Sequence, residues 1–255
     1  MLRTRVIPCL LLRNGGLVKT VKFDNPTYVG DPINAVKIFN EKEVDELVFL
    51  DISATVEGRG PNFDLVRDIA TEAFMPFGYG GGVTTLEQVR QLIASGAEKV
   101  VINTGAVERP SLVSEAAENI GSQSVVVAID VSKSLFGRYE VVTHSATRKT
   151  GKDPVEWACE MEKAGAGEIV VNSVDRDGRM NGYDVALVRK ITDAVRVPVV
   201  ACGGAGKLQD LREAVVEGGA SAVAAGSLFV FHGKHRAVLI TYPKYSELEA
   251  LFDAR

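Results

Sequence analysis

The chain is short of the residues that usually build disulfide frameworks or metal centres: among 255 residues there are three cysteines and three histidines. Cys9, Cys159 and Cys202 are odd in number, far apart and set in apolar surroundings, so they read as buried small hydrophobes rather than a disulfide framework or a CxxC site. His144, His232 and His235 lack metal-ligating neighbours at a productive spacing, so neither a metal nor another cofactor is expected. No stretch approaches the roughly 18 uninterrupted apolar residues of a membrane span. The opening Met1-Leu2-Arg3-Thr4-Arg5 leads straight into an apolar run bearing Pro8, unlike a signal peptide, and a cytoplasmic location is expected. A net charge of -4 without a basic run argues against wrapping nucleic acid and favours small molecules or proteins as partners. No linker or low-complexity segment divides residues 1–255, which read as one domain.

What is present is alternation. Nearly continuous apolar runs at Arg5–Leu12, Leu47–Asp51, Pro76–Gly80, Val100–Thr104, Val125–Asp130, Ile169–Ser173, Pro198–Cys202 and Ala222–Gly226 have the character of strands covered on both faces. Segments of helical spacing lie between them, including Asp31–Lys42, Thr85–Ser95, Pro154–Ala164, Asp184–Ala194 and Leu208–Glu217; Trp157 and Met161 read as core packing. Eight strand–helix units in this length predict a closed (β/α)8 TIM barrel of class α/β. An open doubly wound sheet would have fewer strands and a GxGxxG after the first, which is missing.

The chain also repeats itself, with half-barrels of about 1–120 and 121–255. Pro76–Gly82, Leu86–Arg90 and Gly96–Val100 are matched by Pro198–Gly204, Leu208–Arg212 and Gly219–Val223. Asn103-Thr104 pairs in the same way with Gly226-Ser227, and Asp51 with Asp175. Glycines at strand C-termini let backbone N–H groups approach an anion. Gly81 and Gly82 with Asn103 and Thr104 therefore predict one phosphate cradle, and Gly203 and Gly204 with Gly226 and Ser227 a second.

Barrel enzymes place chemistry at the C-terminal rim, which makes Asp51, Asp130, Asp175 and Asp177 candidate acid/base groups. Asp130, closing an apolar strand, is the foremost. Its counterpart in the repeat is Leu11, so one of two symmetric acid/base positions holds no carboxylate. The segment 13–30 is long for a strand–helix connection and reads as a mobile lid whose Lys19 reaches a ligand anion. Arg5, Glu46, Lys99 and Glu168 stand at the N-terminal ends of strands one, two, four and six; taken singly, each is a solvated end.

These residues carry a resemblance to the cyclase subunit of imidazole glycerol phosphate synthase, extending to about Phe231. It runs through Gly30-Asp31-Pro32, Asp45–Ile52, Gly80-Gly81-Gly82, Ile102-Asn103-Thr104, Val125–Asp130, Asp175-Arg176-Asp177-Gly178 and Gly203–Lys207. The resemblance implies a barrel docked through its N-terminal face to a glutaminase as a heterodimer, receiving ammonia through its interior for use at a bisphosphate or phosphosugar ligand. It implies an ammonia gate at Arg5, Glu46, Lys99 and Glu168, and places Asp177 and Gly178 among the phosphate-binding residues. It also implies lyase-type ring closure by aspartates on strands one and five, of which this chain keeps only Asp130. Leu11, the opening Arg5–Leu12 and the segment 231–240 are closer to a surface-polysaccharide paralogue, the acetamidino modification proteins. That group's barrel and glutaminase imply a third, amidating protein as ammonia consumer.

The leading expectation is thus an ammonia-channelling barrel of a glutamine amidotransferase system serving sugar amidination. The alternatives are a genuine cyclase in which Lys19, Asp51 or a water replaces the missing carboxylate, a non-catalytic activator of the glutaminase, and a single-chain sugar isomerase.

Overall fold

The computed structural model describes residues 4–253. Eight parallel strands, β1 (Arg5–Arg13), β2 (Leu47–Asp51), β3 (Phe77–Gly80), β4 (Lys99–Ile102), β5 (Val125–Lys133), β6 (Glu168–Ser173), β7 (Val199–Cys202) and β8 (Ala222–Ala225), pair in sequence order. Pairing of β8 with β1, and of β5 with β6, closes the barrel. Each of the eight apolar runs is one of these strands. Pro76 and Pro198 stand just outside theirs, as residues without an N–H to give the ladder do. The longer helices are α1 (Pro32–Glu41), α2 (Phe63–Glu72), α3 (Leu86–Ala94), α4 (Ser111–Ile120), α5 (Pro154–Lys163), α6 (Val185–Thr192), α7 (Leu208–Val216) and α8 (Tyr245–Asp253). None of the described helices is long and apolar enough to cross a membrane.

Two apolar clusters result. Strand and helix side chains fill the layer between sheet and helices, with Trp157 and Met161 buried there. Ile7, Cys9, Val48, Val101, Val126, Ala128, Val200, Cys202 and Ala224 form a narrower cluster within the barrel.

The half-barrel repeat is a repeat of backbone. Gly81 and Gly82 have φ of +111° and +71°, Gly203 and Gly204 +84° and +121°. Both α3 and α7 open with a side chain reaching back to the amides before it: Gln88 Oε1 accepts from Thr84 and Thr85, Asp210 Oδ2 from Gly206 and Lys207. Short helical turns, Thr104–Glu108 and Ser227–Val230, follow Asn103 and Gly226 in the two halves.

The structure corrects the mobile-lid reading of residues 13–30. Gly16–Val21 pairs antiparallel with the end of β1 and with Asp24–Gly30, making an ordered hairpin. Asn14 and Gly15 both have positive φ, as do Lys22 and Phe23, so each reversal is a two-residue turn matching the strand twist. A second hairpin, absent from the sequence expectations, returns from β5 through Tyr139–Thr143 and Arg148–Lys149. It is the symmetric counterpart of the first: Leu11 pairs with Val18 as Asp130 pairs with Val142.

Candidate functional site

The C-terminal ends of the strands enclose a pocket with about 1030 Å³ of space, counted to its open mouth. The wall includes the candidates Leu11, Lys19, Gly81, Asn103, Thr104, Asp130, Asp177, Gly178, Gly203, Gly204, Gly226 and Ser227. Gly82 sits behind Gly81, its amide donating to Thr55 Oγ1 at 3.3 Å.

Strand register places Asp130 between two amides. Asn103 Nδ2 donates to Asp130 Oδ2 at 3.0 Å and to Ala128 O at 2.9 Å, and Asn172 Nδ2 donates to Asp130 Oδ1 at 3.2 Å. Burial pushes the Asp130 carboxyl up to about 7, against the pull of these two bonds and with help from the negative charge of Asp177. A carboxyl poised near neutrality in a cleft suits proton transfer. The equivalent position is apolar, since Leu11 pairs with Leu50 where Asp130 pairs with Asn172.

Lys19 is buried, not solvated. Its Nζ lies 3.3 Å from Asp177 Oδ1, whose other oxygen accepts from Thr20 Oγ1 at 2.8 Å. Burial alone would lower the Lys19 pKa, but the charge of Asp177 and its hydrogen bond hold it above the ordinary value. The ammonium stays charged beside the second cradle, where a Cβ on Gly226 would stand 2.9 Å from Nζ. The Asp177 carboxylate is thus committed to Lys19 and Thr20, and its N–H to Ser173 O. Asp51 and Asp175 serve local structure as well: Asp51 Oδ1 accepts from the amides of Ser53 and Ala54, and Asp175 Oδ2 from the amide of Lys133.

The cradle glycines are demanded by close backbone approach. A Cβ on Gly82 would lie 2.3 Å from Arg59 O and one on Gly204 2.3 Å from Gly182 O. Gly204→Ala and Gly82→Ala are each expected to destabilise the protein by about 1–3 kcal/mol and to weaken binding of inorganic pyrophosphate. Thermal unfolding and calorimetric titration read the two effects, which symmetry makes similar in both halves.

Sequence reasoning missed several wall residues. Ser145 stands in a run of three left-handed residues, His144 to Ala146, at the end of the second hairpin, and its Oγ donates to Ile52 O across the mouth at 2.8 Å. Cys9 and Cys202 meet beneath the pocket. A hydrogen bond from Cys202 lowers the Cys9 thiol pKa against the effect of burial, with the Lys19 charge assisting, and the Cys202 thiol is raised in turn. Asn172 was hidden inside an apolar strand.

Below the thiols lies a second cavity, lined by Ile7, Val48, Gly78, Val126, Val170 and Ala224 among others, which also touches Cys9, Ala128 and Cys202. Its floor is a ring of alternating charge. Arg5 bonds Glu46 and Glu168, and Lys99 Nζ lies 2.8 Å from Glu46 Oε1 and 3.1 Å from Glu168 Oε1. The four charges that look unremarkable in sequence are one network in space.

A family model described as histidine biosynthesis protein matches residues 5–236. The chain belongs to this family, with the cyclase subunits of imidazole glycerol phosphate synthase. It is 55% identical over 249 residues to a Pseudomonas aeruginosa protein provisionally named imidazole glycerol phosphate synthase subunit hisF2, covering 98% of this chain and 99% of that one. A Leptospira interrogans protein provisionally named subunit HisF of the same synthase is 50% identical over 253 residues, 99% of this chain and all of its own. A Vibrio vulnificus relative, provisionally named hisF3, is 49% identical over 248 residues, covering 97% and 95% of the two chains. Within the family's barrel, this chain offers a pocket with one carboxylate wall and one leucine wall.

Proposed function

We propose that the chain is the ammonia-receiving barrel of a glutamine amidotransferase system, and that the nitrogen serves acetamidino-sugar formation for a surface polysaccharide. The observation that carries this reading is the combination of a charged ring and an interior cavity below the pocket with Leu11 in the pocket wall. On this reading the charged ring and the cavity above it are the route for ammonia, while one of the two acid/base positions needed for ring closure is apolar. A glutaminase subunit docks on the N-terminal face, around Arg5, Glu46, Lys99 and Glu168, and these four act as the ammonia gate. The two glycine cradles and Lys19 hold a bisphosphate or phosphosugar, and Asp130 is the acid/base group. A third, amidating protein consumes the ammonia at the C-terminal rim. Support for that partner comes from the fully exposed hairpin tip Leu135-Phe136 after β5, and from exposed Tyr28, Val56 and Val238 on the connections after β1, β2 and β8.

The second reading is a true synthase subunit forming imidazole glycerol phosphate and aminoimidazole carboxamide ribotide in histidine biosynthesis, favoured by the family names and by the poised Asp130. The complex with its glutaminase, supplied with amide-labelled glutamine and the histidine-pathway bisphosphate, separates the two. Negligible turnover is expected, and Leu11→Asp is expected to raise it by about 10²-fold or more, since acid/base groups contribute about 10²–10⁴-fold each. Turnover by the unaltered chain at a biosynthetic rate would establish the second reading instead.

A further inference from the structure

Among the described residues, two buried side-chain polar atoms have no hydrogen-bond partner: Ser227 Oγ and Asn172 Oδ1. Ser227 belongs to the second cradle, where its hydroxyl can donate to an anion. Asn172 is a different case. The residue is 9% exposed, its Nδ2 is fixed on Asp130, and its Oδ1 is left as an acceptor. A phosphate oxygen offers nothing to an acceptor, so the cradle chemistry does not use this atom. A buried acceptor without a donor is costly, and the fold could have avoided that cost, because the equivalent position in the other half-barrel is Leu50.

Register shows where this acceptor stands. Asn172 pairs with Asp130 on one side and with Cys202 on the other. Cys202 lines both the rim pocket and the interior cavity. Asn172 lines the rim pocket, one strand from the carboxyl, and Val170, two residues before it and so on the same face of β6, lines the cavity below.

We propose that Asn172 Oδ1 and Asp130 form a binding station for ammonia where it leaves the barrel interior. Ammonia brings three N–H donors and a lone pair, and it needs acceptors on arriving from an apolar passage. Asn172 Oδ1 takes one N–H. A protonated Asp130 gives its proton to the ammonia lone pair, leaving an ammonium–carboxylate pair, and recovers that proton when the nitrogen moves on, so the cycle has no net proton change. The two amides that donate to Asp130 keep the carboxylate aimed during the exchange. Asn172 is in this sense a selector of N–H donors and touches the nitrogen directly. The proposal rests on the reading that ammonia reaches this pocket, but its test does not require the glutaminase.

The test is a titration of the carboxyl carbon of Asp130, in protein labelled with 13C-aspartate, with ammonium chloride near pH 8, where ammonium meeting the carboxylate forms the same ammonium–carboxylate pair as ammonia meeting the protonated acid. Potassium chloride at equal ionic strength is the control. The expected result is a saturable shift with ammonium that potassium does not reproduce, weakened about tenfold or more in Asn172→Leu. Asn172→Thr, which keeps an oxygen acceptor, should retain part of the response and serves if the leucine variant folds poorly. An absent response, an equal response to potassium, or an unchanged response in both variants overturns the station. Transfer of glutamine amide nitrogen in the glutaminase complex is scored separately: its absence from the unaltered chain counts against ammonia delivery and leaves the binding result standing.

Discussion

Lys99→Met is expected to destabilise the barrel by about 3–5 kcal/mol, the usual cost of stripping one partner from a buried ion pair. Lys99 contacts both Glu46 and Glu168, whose side chains are nearly fully buried, and Arg5 alone would then face two carboxylates from the more exposed side of the ring. Guanidinium unfolding measures the loss. Adding Glu168→Gln to Lys99→Met should restore a good part of the stability, since one cation and one anion remain. The same variant tests the gate: in the glutaminase complex, glutamine hydrolysis is expected to continue while less of the nitrogen reaches product. A variant as stable as the parent would mean that Lys99 is not needed to neutralise the ring.

Asp130→Asn should divide function from stability. Delivered nitrogen in product is expected to fall by about 10²–10⁴-fold, the range for loss of an acid/base group. Stability should move the other way. The carboxyl sits near 7 in the folded chain, raised chiefly by burial from an ordinary value of 3.8. Between those pH values the folded state holds a proton that the unfolded state has lost, so this group's contribution falls as pH rises from about 4 to about 7 and stays low above that. Three pKa units correspond to about 4 kcal/mol as an upper figure. The asparagine variant should therefore match the parent near pH 4 and exceed it by roughly 2–4 kcal/mol at pH 8, provided the neighbouring Asn172 amide turns to accept from the new side chain. Chemical denaturation across that pH range checks the divergence. Unchanged nitrogen delivery would make the barrel a conduit whose rim carboxylate takes no part.

Most of the architecture was legible because a strand buried on both faces leaves a continuous apolar run, and eight such runs in 255 residues have few ways to close. The two hairpins were less visible. Asn14-Gly15 between Arg13 and Gly16 is a strong signal for a two-residue turn, whereas the length of the connection alone points to a lid. The lid reading also places Lys19 on a loop, whereas alternation along Gly16–Val21 turns it into the pocket. The candidate site was readable where the repeat doubled it, as with the glycines, and where the repeat failed, as at Leu11. Asn172 and the Cys9–Cys202 contact could not be read along the chain, because register across strands brings them together. A polar residue within Glu168–Ser173 was the only trace of the former, and comparison with Leu50 would have exposed it. The pairing of Asp177 with Lys19 joins residues 158 positions apart, and nothing in the spacing of either one announces it.

The unequal walls of the pocket bear on how a ligand lies in it. Two matched cradles in a pseudo-twofold barrel would accept a molecule with an anionic group at each end in either of two directions, with little to choose between them. Leu11 and Leu50 on one side, against Asp130 and Asn172 on the other, make those directions unequal in free energy. A nitrogen-bearing or otherwise polar middle section would be favoured toward β5 and β6, and a carbon-rich face toward β1 and β2. A leucine at one of the two matched positions would thereby give a bound ligand a head and a tail.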